Sequence, residues 1–95
     1  MIKGFQKKKT GKIWAGQRSR KLPQAIRQLA RRKLRMLNNA RSLDDLRIPP
    51  ANRLECLEGD RSGRYSIRVN DQWWICFVWE QGDALDVEIV DSHRR

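Results

Sequence analysis

The sequence predicts an α+β domain, with two N-terminal basic helices packed on a small, mainly antiparallel β-sheet. Three observations carry this. Apolar residues recur at helical spacing in the first half of the chain and alternate with polar ones in the second. The charge divides at the same place: residues 1–50 carry 15 Lys/Arg and two acids, net +13, while residues 51–95 carry six Arg and nine acids, net −3. Finally, 95 residues bury one modest core, so positions 1–95 read as a single domain without room for a large cofactor cleft. A net charge of +10 concerns partners rather than fold, and selects polyanions or an acidic protein.

Along the chain, Ile2 to Phe5 suit a short strand. Lys7, Lys8, Lys9 and Lys12 precede Ile13, Trp14 and Ala15, a pattern for a short basic helix ending at Gly16. From Leu22 to Leu37 only Pro23, at a permitted first-turn position, departs from good helix formers. At about 100° per residue, Leu22, Ile26, Leu29, Ala30, Met36 and Leu37 gather on one side and Arg27, Arg31 and Arg35 on the other. Like charges at this spacing cost a helix a few tenths of a kcal/mol (~0.2–0.5 per pair), which favours a polyanion-facing surface over a merely solvated one. Asn38 and Asn39 end the helix, Ser42 caps a helical turn over 43–46, and Pro49-Pro50 calls for an extended connection.

From Arg53 the period becomes two. Leu54 and Cys56 make a strand before a loop at 58–63, and Tyr65, Ile67 and Val69 a half-buried one. The run from Trp73 to Trp79 is apolar on both faces, as a central strand requires. After a turn at 81–83, Leu85, Val87 and Ile89 alternate with Asp86 and Glu88 in the last strand, which puts Asp91 and His93 on their side of the sheet. A three-residue connection at 70–72 pairs Val69 with Trp73, Ile67 with Ile75 and Tyr65 with Phe77, all apolar. Arg68 and Trp74 are then neighbours on the other face, the best candidate for a working surface. Trp74 has two readings: a packing partner in a second small core, or a platform on which an RNA base stacks.

Two cysteines, Cys56 and Cys76, are too few for a disulfide framework, and a single His makes a metal site unexpected. No cofactor is implied. The start of the chain lacks the apolar run of a signal peptide, and no stretch reaches the ~20 apolar residues of a membrane span. The expectation is a soluble cytoplasmic protein without membrane partners.

The run RIPPANRLECLEGDRSGRYSIRVNDQWWICFVW, with VEIVDSH near the end, resembles the HigB toxins of the RelE/ParE superfamily, and the likeness spans nearly the whole chain. The resemblance implies two N-terminal helices on a mainly antiparallel sheet, and a type II toxin–antitoxin component neutralised by a HigA-like helix-turn-helix antitoxin. It also implies an endoribonuclease that cleaves mRNA on the ribosome. Asp91 and His93 match the family's C-terminal Asp-x-His. Ser92 stands where the family usually has Tyr, Trp73-Trp74 where it has Trp-Arg, and Glu55 and Glu58 where some members have His and Lys. Those departures fit a second class as well, an RNA- or ribosome-binding relative that does not cut. A gyrase-directed ParE-like toxin is a third.

Cutting RNA without a metal needs a base for the 2′-OH, an acid for the departing 5′-oxygen and positive charge near the phosphorane. His93 alone has an unperturbed pKa near neutrality. It is the candidate acid or base, with Asp91 to orient it or act as its counterpart, and Arg68, helped by Arg94, to stabilise charge. Asp91 also reads as a partner for an arginine of the basic helix, and His93 as an unconstrained tail residue. Lys7, Lys8, Lys9, Lys12, Arg27, Arg31 and Arg35 would hold RNA backbone without reading sequence.

Overall fold

Pro23 sets the backbone direction for the α-helix defined among the described residues, α1 (Gln24–Asn39), and its carbonyl accepts from Arg27 N at 3.0 Å. The computed structural model describes residues 1–6, 11, 13, 14, 22–57 and 63–92. Gly11, Ile13 and Trp14 are helical. The rest of the short basic helix expected around Lys12 lies outside the described residues, as do Lys7, Lys8 and Lys9.

Helix α1 buries Ala30, Lys33, Leu34 and Leu37, which recur at i, i+3, i+4 and i+7. The buried face is thus rotated from the expected one. Leu34 joins the core, whereas Ile26, Leu29 and Met36 lie on its shoulders, half-buried. Arg27 is half-buried as a result, and only Arg31 and Arg35 of the basic stripe are exposed. Arg31 Nε donates to the Trp14 carbonyl at 3.3 Å, tying α1 to the N-terminal segment.

After α1, a 3₁₀ turn (Leu43–Arg47) opens at Ser42, as the capping residue predicts. The Asp45 carboxylate accepts from the backbone N–H groups of Arg41 and Ser42 at 2.9 and 3.2 Å. These bonds favour its charged form and hold its carboxyl below the ordinary value. The extended connection expected at Pro49-Pro50 covers Ile48 and Pro49, both extended, and gives way at Pro50 to a second 3₁₀ turn (Pro50–Asn52), closed by Arg53 in the left-handed region.

The sheet contains β1 (Glu55–Cys56), β2 (Arg64–Arg68), β3 (Trp73–Glu80) and β4 (Asp83–Asp91), in that order and antiparallel throughout. Ile2 and Phe5 bridge in parallel to Ala84 and Val87 on the outer side of β4. The β2–β3 register is the one alternation predicts: Tyr65 faces Phe77, Ile67 faces Ile75 and Arg68 faces Trp74, with Val69 N donating to Trp73 O at 2.9 Å. Ile67, Ile75 and Phe77 are wholly buried against Leu34 and Leu37 of α1. Each such side chain contributes about 1.5–3 kcal/mol relative to exposure.

Strand β4 does not alternate cleanly. Cys76 pairs with Glu88 but Val78 with Leu85, so Phe77 alone stands opposite Asp86 and Val87. Asp86, at φ 49°, takes up the extra residue. The bulge reverses parity: Ala84, not Leu85, enters the core, while Val87 and Ile89 remain on the helix side. Gln81 and Gly82, both at positive φ, make the tight β3–β4 turn between Glu80 and Asp83. On the face away from α1, Trp74, Cys76 and Val90 form a second buried cluster with Leu57 against it.

Candidate functional site

One hairpin positions two of the three candidate catalytic residues. In the 70–72 connection, the Asn70 side-chain oxygen accepts from the backbone N–H groups of Gln72 and Trp73 at 2.9 and 2.7 Å, which fixes the turn from within. The next two residues then reach outward. Asp71 pairs with the Arg68 guanidinium, and Gln72 Nε2 donates to Asp91 Oδ2 at 3.2 Å. Gln72 also accepts from Ser92 N through its backbone carbonyl at 2.6 Å, extending the ladder past the end of β4.

Arg68 and Asp91 therefore flank β3 at the same end of the sheet, one opposite Trp74 and the other opposite Trp73. Alternation gives them opposite faces: Asp91 belongs to the helix side with Ile89, and Arg68 to the side of Ser66 and Cys76. A substrate that used both would sit across the strand ends, at the rim of the hairpin. His93, two residues beyond Asp91, lies outside the described residues, and so does Arg94.

Arg68 and its partner differ in environment. The Arg68 side chain is 26% exposed, that of Asp71 97%. An ion pair with so exposed a carboxylate is worth little in water. By contrast, Arg64 and Glu88 pair at 3.0 Å across β3, with side chains only 16% and 13% exposed, and read as structural.

Trp74 requires a correction. It is 5% exposed and belongs to the second cluster with Cys76 and Val90. It offers no open ring face for a base, so the packing reading replaces the stacking one. β3 is sandwiched between two apolar layers at this end, which is why both its faces are aromatic.

Lys33 went unnoticed in the sequence pattern. It sits in the buried stripe of α1 at 7% exposure, and its ammonium donates to Asn52 Oδ1 at 2.5 Å. Asn52, wholly buried, donates through its own amide to the carbonyls of Leu46 and Ile48 at 3.2 and 3.5 Å. Among the described residues no carboxylate pairs with Lys33. Burial, and then the charges of Arg32 and Arg68, push its ammonium below the ordinary lysine value. Since the folded pKa is the lower one, the cost of the buried charge is relieved as rising pH removes the proton. A signal was available in the sequence: a lysine at i+3 from Ala30, next to Leu34, within the apolar period.

The model of a RelE-like toxin of type II toxin–antitoxin systems, HigB, matches residues 3–93. The chain belongs to the HigB-like toxins. Toxin HigB-1 of Vibrio cholerae serotype O1 is 46% identical over 77 residues, which is 81% of this chain and 80% of the relative. An uncharacterized protein of Haemophilus influenzae is 40% identical over 73 residues, 77% of this chain and 71% of its own. Like other HigB-like toxins it is one half of a toxin–antitoxin pair, so an antitoxin is its partner. Among the described residues no helix is long and apolar enough to cross a membrane. The block VNDQW, within the matched residues, carries both the Arg68 and the Asp91 contacts.

Proposed function

We propose that this HigB-like toxin is an endoribonuclease that cuts mRNA on the ribosome, in the cytoplasm, without a metal. A HigA-like helix-turn-helix antitoxin would neutralise it. The observation that carries the proposal is the shared hairpin: one three-residue connection grips Arg68 through Asp71 and Asp91 through Gln72. In this mechanism the 2′-OH attacks the adjacent phosphate in line. His93 transfers a proton at the attacking or departing oxygen, Asp91 orients the imidazole or serves as its counterpart, and Arg68 offsets charge on the phosphorane. Because Trp74 fills the second cluster, cationic stabilisation falls to Arg68 on β2 rather than to β3.

Mapping mRNA 5′ ends in a translating extract tests this. New ends within codons, dependent on both toxin and ribosomes, are the expected result; ribosome binding without new ends would make the chain a binding relative instead. Gyrase-linked DNA breaks would assign it to the ParE branch.

The basic surface supplies docking. Arg31 and Arg35, exposed on α1, would hold rRNA phosphates, with Lys7, Lys8, Lys9 and Lys12 of the sequence before the helix adding positive charge. Converting Arg31 and Arg35 together to Glu is expected to weaken ribosome association and flatten its dependence on salt. Cosedimentation across a potassium chloride series measures both. An unchanged salt slope would mean that the two arginines are only solvated.

A further inference from the structure

Gln72 holds the end of β4 through both its side chain and its backbone. Its Nε2 donates to Asp91 Oδ2 at 3.2 Å, and its carbonyl accepts from Ser92 N at 2.6 Å. The two residues immediately before His93 are thus each bonded to Gln72. Gln72 is itself held in place, because Asn70 Oδ1 accepts from its backbone N–H at 2.9 Å and from that of Trp73 at 2.7 Å. Trp73 and Asp91 face one another at the last rung of the β3–β4 ladder, so the bond to Ser92 carries the pairing past a strand end that would otherwise fray. The Gln72 side chain is exposed, and packing does not dictate its type. Its chemistry does: a neutral amide fixes a carboxylate oxygen and favours the charged form without neutralising it. A lysine or arginine at that position would compete with an imidazolium for Asp91.

We infer that Gln72 is a positioning residue for cleavage: its amide keeps Asp91 ionised and oriented, and its carbonyl anchors the backbone from which His93 follows. It acts through Asp91 and Ser92 and does not touch the reacting atoms. The inference rests on the nuclease proposal for its purpose, and adds to it a residue outside the catalytic set. It also gives the three-residue connection a reason for its last member, since only a side chain with a donor at glutamine's length meets Asp91 from this turn while its own carbonyl meets Ser92.

Two substitutions test it, each at an exposed position and so expected to fold. Gln72→Ala deletes the donor, and Gln72→Glu keeps the length but sets a second carboxylate against Asp91. Single-turnover cleavage on programmed ribosomes should slow roughly threefold to tenfold for Gln72→Ala, the loss of one hydrogen bond. It should slow further for Gln72→Glu, with the half-saturating ribosome concentration unchanged in both. Gln81→Glu adds the same charge in the β3–β4 turn, at the opposite end of β3, and should cut at the wild-type rate. Carboxyl NMR of the free toxin reads the contact without any RNA: the Asp91 titration should move to higher pH in Gln72→Ala and further in Gln72→Glu. Equal cleavage by Gln72→Glu and Gln81→Glu, or an Asp91 titration that neither substitution at Gln72 moves, would overturn the inference. So would a defect seen only in the half-saturating concentration, which would mean that Gln72 touches RNA itself. A moved titration in a chain whose wild type cuts no mRNA would remove the nuclease proposal and leave the hold of Gln72 on Asp91 standing.

Discussion

Replacing His93 or Asp91 with alanine should lower ribosome-dependent mRNA cleavage at least ~100-fold, the usual scale of a positioned acid or base. The two replacements act on one constellation, so the double variant should lose little more than the worse single one. Stability should barely change. Asp91 lies at the last position of β4, half-buried, with Gln72 as a hydrogen-bond partner near the surface. Single-turnover cleavage on programmed ribosomes measures the first effect and urea unfolding the second. Full cleavage in both single variants would discard the assignment, whereas lost activity together with lost stability would make Asp91 structural.

Trp74→Ala should destabilise the fold by about 3–5 kcal/mol, the range for deleting a large aromatic from a packed core. Against a total of about 5–15 kcal/mol for a small domain, that is a large share. Trp74 is 5% exposed, with Cys76 and Val90 beside it on the face that α1 does not cover. Emptying the position leaves a cavity next to the Arg68 end of β2, so activity should fall with stability. A shift of the urea midpoint with an unchanged slope would show it. Normal stability combined with weaker RNA binding would instead restore Trp74 as a stacking platform.

The β2–β3 hairpin was legible because a three-residue connection puts Tyr65, Ile67 and Val69 opposite apolar partners, whereas a two-residue one would set Val69 opposite Gln72 and Arg68 opposite Trp73. The body of α1 was legible from its period, but its rotation was not, since the buried stripe runs through Lys33, a residue type that ordinarily keeps its charge in water. A lysine can share a core stripe if an acceptor such as Asn52 waits at its end, and that acceptor comes from a turn nineteen residues on. The bulge at Asp86 was hidden for a similar reason. Leu85, Val87 and Ile89 alternate so regularly that nothing local marks the extra residue, and the change of parity is decided by what β3 and the N-terminal segment pair with. At the candidate site, the family likeness pointed to Asp91, and alternation to Arg68. Their linkage through Asp71 and Gln72 could not be read in advance, because both contacts depend on how the turn projects its side chains.

Cleavage by this mechanism requires attack by the ribose hydroxyl on the adjacent phosphate at this end of the sheet. The most direct measurement is cleavage, on ribosomes carrying the toxin, of an mRNA with a single 2′-deoxynucleotide immediately 5′ to the scissile phosphate. The mechanism predicts that this one bond stays intact while an all-ribose control is cut to a 2′,3′-cyclic phosphate or its hydrolysis product. Cleavage of the deoxy-substituted bond at the control rate would contradict it.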